Sequence, residues 1–105
     1  MSFDNNTSRG LQLSYLGPVV WDNPSVGHSF VRYGDVEIQI VGTPSTPYVP
    51  TRSLDGTTFV ACNAYDKDGT VITSISAAGI YSLKGSGFLK MSAGAGSTIT
   101  IRAGS

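Results

Sequence analysis

The sequence predicts an all-β domain, an antiparallel β-sandwich or jelly-roll-like barrel of about eight short strands. Three observations carry this. Apolar residues alternate with polar ones at a period of two in several windows. Turn signals built on Gly, Pro, Asn and Asp recur about every eight to twelve residues, and no window keeps a helical period beyond about a turn.

The elements follow in chain order. Residues 1–10, "MSFDNNTSRG", are polar and rich in Asn and Ser, the composition of an arm that is flexible in the free protein. Residues 11–105 read as one sandwich domain. "LQLSYL" (11–16) sets Leu11, Leu13 and Tyr15 against Gln12 and Ser14 and ends at Gly17-Pro18. "VVW" (19–21) is a short apolar run closed by Asp22-Asn23-Pro24. "HSFVRY" (28–33) and "DVEIQIV" (35–41) read as two strands of a tight hairpin around Gly34-Asp35, with Val36, Ile38 and Ile40 facing inward. "GTPSTPYVPT" (42–51) spends three prolines in ten positions, so a loop or an edge segment is expected there.

"TTFVACNAY" (57–65) reads as one strand, entered through Asp55-Gly56 and left through Asp66-Lys67-Asp68-Gly69. In residues 68–92, "DGTVITSISAAGIYSLKGSGFLKMS", Val71, Thr73 and Ile75 alternate with Ile72 and Ser74. Gly79 then interrupts, and "IYSL" and "FLKMS" give further strands. Ile75, Ile80, Phe88 and Met91 are the expected core residues of this stretch. Gly94-Ala95-Gly96 turns into the last strand, "TITIRA".

Bulk properties narrow the function. At 105 residues the chain affords one small core. Seven Lys and Arg balance seven Asp and Glu, so the basic excess that neutralises phosphates is missing and no nucleic-acid partner is expected. Near-zero net charge also favours contact between copies, which predicts a homo-oligomer, dimer or trimer, or attachment to a larger assembly. The N-terminus has no apolar signal core and no run is long enough to span a bilayer, so the expected site of synthesis is a cytoplasm, with no membrane partner. The Asn5 and Asn6 sequons then read as polar arm chemistry.

The residues that carry chemistry are sparse. Cys62 is the only cysteine, which precludes an internal disulfide, and it reads as a small buried apolar group. His28 is the only histidine, so neither a two-histidine zinc site nor an oriented base is expected. Asp66-Lys67-Asp68-Gly69-Thr70 begins like a calcium loop, but Ala77 stands where the closing Glu belongs, and a hairpin turn explains the Asp and Gly. The glycine pairs at 85–87 and 94–96 lack a dinucleotide or phosphate fingerprint. No catalytic residue, metal or cofactor is expected, and the chain does not read as an enzyme.

Most of the ten aromatic residues are needed to fill the core. Trp21 and Tyr48 lie beside turn-rich or proline-rich segments and are the candidates for exposure. With Phe3 and Arg9 of the arm, they form the expected partner-binding set.

Residues 53–101 carry a more particular pattern: Ser53, Asp55, Gly56 and Thr57 before Phe59, then Thr73, Ile75, Gly79 and Tyr81, then Gly87-Phe88 leading to the "TITI" strand. This half of the chain resembles a module of small structural proteins of tailed bacteriophages. The resemblance implies a capsid decoration (cement) protein on the virion surface, its partner the major capsid protein. A receptor- or glycan-binding module of a tail fibre or baseplate is the alternative. Exposed aromatic residues in a groove would favour that alternative, and a flat apolar patch would favour cement.

Overall fold

A computed structural model describes residues 17–29, 34–84 and 86–103. Among them the chain forms ten strands and no helix. These are β1 (Val19–Val20), β2 (His28–Ser29), β3 (Asp35–Val41), β4 (Thr46–Ser53), β5 (Val60–Ala61), β6 (Ala64–Tyr65), β7 (Val71–Ile72), β8 (Gly79–Lys84), β9 (Phe88–Ala95) and β10 (Thr98–Ala103). The proposed arm and the 11–16 strand lie outside the described residues.

All pairings are antiparallel. One sheet has the order β1-β10-β3-β8-β6-β7, the other β2-β9-β4-β5. The order follows one rule: β1 pairs with β10, β2 with β9, β3 with β8 and β4 with β5, as in a long hairpin. The β10–β3 and β9–β4 pairings then roll that hairpin into two layers. This is the connectivity of a jelly roll. The roll has eight strands, the number expected though not the same set, and β6 and β7 form a small hairpin added beyond β8.

Period-two patterning explains the layering. In β3, Val36, Ile38 and Ile40 are buried, while Asp35, Gln39 and Val41 point outward. Ile99 and Ile101 of β10, Tyr81 and Leu83 of β8, and Leu89 and Met91 of β9 meet them between the sheets. Burying side chains of this size stabilises the fold by about 1.5–3 kcal/mol each.

Several sequence expectations are corrected. The proposed hairpin around Gly34-Asp35 does not form, because β2 and β3 lie in different sheets. The proline-rich 42–51 segment is not a loop or edge: its second half opens β4, an interior strand between β9 and β5. Register shifts between Thr46 and Val49 and between Val49 and Pro50 let the ladder absorb prolines that cannot donate. Residues 57–65 are not one strand. The chain leaves the four-stranded sheet after Ala61 and enters the six-stranded sheet at Ala64, so Cys62-Asn63 is a corner. The strand after Gly69 ends at Ile72 and bends at Thr73-Ser74, which turns Ile75 inward. Ile75 and Met91 are core as expected and Phe88 is half-buried, but Ile80 faces outward and is 52% exposed.

Candidate contact surface

Of the sequence-derived binding residues, the structure describes Trp21 and Tyr48. Phe3 and Arg9 lie outside the described residues. Trp21 and Tyr48, expected at exposed loop tips, are each only 2% exposed. Trp21 extends the β1–β10 pairing through its amide, which donates to Ile99 O at 2.8 Å, and its ring meets His28 edge-on at 5.7 Å. His28 Nε2 lies 3.1 Å from Asn23 O. Burial lowers the His28 pKa against the opposing pull of that carbonyl.

Tyr48 clamps the two sheets together. Its backbone exchanges hydrogen bonds with Ile75 at 2.9 and 2.7 Å, bridging from β4 to the segment between β7 and β8. Its hydroxyl donates to Ser97 O and accepts from Ser97 N. Gly94, at φ +130°, leaves room for the ring, since a Cβ there would fall on it.

The Ser53-Asp55-Gly56-Thr57 segment is a structural loop. The Asp55 carboxylate accepts from Ser53 Oγ at 2.7 Å and from the amides of Thr57 and Thr58 at 2.8 and 2.9 Å, while Ser53 Oγ accepts from Gly56 N. The Thr58 and Thr57 amides, with the Ser53 hydroxyl, bring the Asp55 pKa down to about 2. The 66–70 turn satisfies itself similarly: Asp66 Oδ1 accepts from the amides of Asp68 and Thr70. Among the described residues, no group of three or more His, Cys, Asp and Glu side chains comes together as a metal site. Cys62 sits half-buried at the corner, its pKa raised by burial and opposed by Arg52.

What the structure does present is the outer face of the six-stranded sheet. The cross-strand registers order it. One row runs Val20–Thr100–Gln39–Ile80 across β1, β10, β3 and β8. The next runs Arg102–Glu37–Ser82–Tyr65–Val71 across β10, β3, β8, β6 and β7. Val20, Val41, Ile80 and Val71 are each more than half exposed, and Arg102 Nε lies 4.0 Å from Glu37 Oε1. An open depression of about 270 Å³ lies over the middle, walled by Pro18, Glu37, Gln39, Ile80, Thr100 and Arg102.

Compared with protein-family models, curated proteins and solved structures, the chain matches none. The surface is therefore read on its own chemistry. It offers aliphatic contact area with a few polar groups and no convergent ionisable set, which suits adhesion to another macromolecule. Sequence reading overlooked it because outward-facing Val and Ile look like core residues until the register assigns their side. The alternation in "DVEIQIV" and "TITIRA" already held Glu37, Gln39, Thr100 and Arg102 on one face.

Proposed function

We propose that this chain is a capsid decoration protein, binding the outside of a phage head and clamping neighbouring major capsid protein subunits. The observation that carries the reading is the partly aliphatic outer face of the six-stranded sheet, where Val20, Val41, Val71 and Ile80 are each more than half exposed. The phage-like pattern of residues 53–101 agrees with it. Clamping requires complementary surface and not chemistry, and modest contacts repeated over a symmetric shell add through effective concentration.

The test is quantitative mass spectrometry of purified virions. A copy number comparable with that of the major capsid protein supports the reading. A far smaller number, or absence from the particle, sinks it. A glycan- or receptor-binding role in a tail fibre or baseplate is the second reading, and the depression with Glu37, Gln39 and Arg102 on its walls favours it. The burial of Trp21 and Tyr48 removes two of the residues expected to contact a partner under either reading. Saturable glycan binding abolished by Gln39→Ala would promote the second reading.

A further inference from the structure

We infer that the outer face of the six-stranded sheet is a two-fold interface with a second copy of this chain. The inference does not rest on the capsid reading: it concerns the purified protein in solution, and because a second copy would cover the face proposed for the shell, the dimer must open for attachment through that face.

The argument is the symmetry of the residue pattern. A two-fold axis parallel to the strands, above the line midway between β10 and β3, exchanges β10 with β3 and β1 with β8. Within the row Val20–Thr100–Gln39–Ile80 it sets Val20 of one copy over Ile80 of the other and Thr100 over Gln39. In the next row it sets Arg102 over Glu37. These three pairs match in chemistry, while Ser82, Tyr65 and Val71 of the second row lie outside the matched set. Two half-exposed aliphatic side chains cover each other, a hydroxyl meets a carboxamide, and a guanidinium meets a carboxylate.

The ion pair becomes an alternating square of four charges in place of one solvent-exposed pair at 4.0 Å. Other axes lose this matching. An axis centred on β3 alone would place Glu37 over Glu37, and one centred on β10 would place Arg102 over Arg102.

Charge and size agree with a second copy as occupant. Within the two matched rows the face carries one acid, Glu37, and one base, Arg102, and the row beyond adds a second opposite pair, Asp35 facing Lys84, so the face has no net charge to repel a copy of itself. Three strands about 20 Å long, β10, β3 and β8, with the two-residue β1 beside them, give roughly 300 Å² in projection per copy at a spacing of about 4.8 Å. That is below the roughly 800 Å² per partner of a standard interface, so a weak, reversible dimer is expected. Sheets packed face to face stand about 10 Å apart, which side chains of this length fill.

The test is sedimentation velocity on the purified chain from about 1 to about 200 µM. A monomer–dimer equilibrium is expected. Ile80→Lys should weaken it by about 100-fold, because each dimer loses two aliphatic contacts. Glu37→Arg should also abolish it, and adding Arg102→Glu should restore it, since the swapped square is again alternating. Circular dichroism of each variant establishes that it is folded.

A geometric check uses Val20→Cys with Ile80→Cys in a Cys62→Ser background. The two positions lie about 14 Å apart within one chain, three strand spacings, and about 10 Å apart across the interface, too far for a direct disulfide, so a short bis-maleimide that cannot reach across the intrachain span joins them only between copies. A covalent dimer from the double variant, with none from either cysteine alone, supports the interface. A monomer at every concentration overturns the inference, as does a dimer indifferent to Ile80→Lys and to the charge reversal.

Discussion

The four-stranded sheet covers its own outward face, whereas the six-stranded sheet leaves its face bare. On the former, the 54–59 loop between β4 and β5 folds back over the strands. The Phe88 ring fits beneath Gly56, where a Cβ would stand 3.1 Å from the ring, and Phe59 lies between Gly27 and the Lys90 ammonium, 4.5 Å from its centroid. Thr51 and Ser53 are buried as a result, with Thr51 Oγ1 donating to Lys90 O and Ser53 Oγ to Asp55. On the six-stranded sheet, Val20, Ile80 and Val41 face solvent under no such roof. The contrast teaches that Phe59 and Phe88 serve the closure of the four-stranded sheet, while the six-stranded sheet leaves mainly aliphatic residues, with Tyr65 beside them, open to contact with other molecules.

Four substitutions test this contrast. The largest effect belongs to Phe88→Ala, which leaves a void beneath the loop and should lower unfolding stability by about 2 kcal/mol in urea titration, with association unchanged. Gly56→Ala should cost about 1.5 kcal/mol, because φ +79° disfavours a side chain and the new methyl presses on Phe88. Phe59 and Lys90 should then become more mobile by NMR.

The third test is a pH series. The folded Asp55 pKa, about 2, lies below the ordinary 3.8, so its stabilising contribution is complete above that ordinary value and is lost as pH falls through about 2. Thermal melts of Asp55→Asn should show a smaller fall over this interval than the parent protein. An equal fall would mean that the loop is held by something other than the carboxylate. The smallest effect is expected on the bare face: Ile80→Ser should change stability by less than about 0.5 kcal/mol. A loss comparable with that of Phe88→Ala would mean that Ile80 is packed within its own chain and would erase the contrast.

Much of the layering was legible in the sequence because alternation is local. Val36, Ile38 and Ile40 identify an inward face whichever strand lies opposite. What could not be read was which sheet each strand joins. Residues 57–65 look like a single strand because nothing in "TTFVACNAY" marks the corner at Cys62-Asn63; the change of partner is dictated by β4 on one side and β8 on the other. Trp21 and Tyr48 were misplaced for a related reason. Neighbouring Pro and Asn residues signal exposed turns, but β10 and the Ile75 segment come from far along the chain to enclose those rings. Pro47 and Pro50 signalled a loop correctly in local terms, and the register shifts of β4 accommodate them within the sheet.

The nested pairing also orders events in time. β4 and β5 are near neighbours in sequence and can meet after a short loop closes, whereas β1 must wait for β10, which lies at the far end of the described chain. Loop closure and contact order make the outermost pair the slowest to form. During synthesis the aliphatic row from Val20 to Ile80 therefore cannot assemble until β10 has left the ribosome.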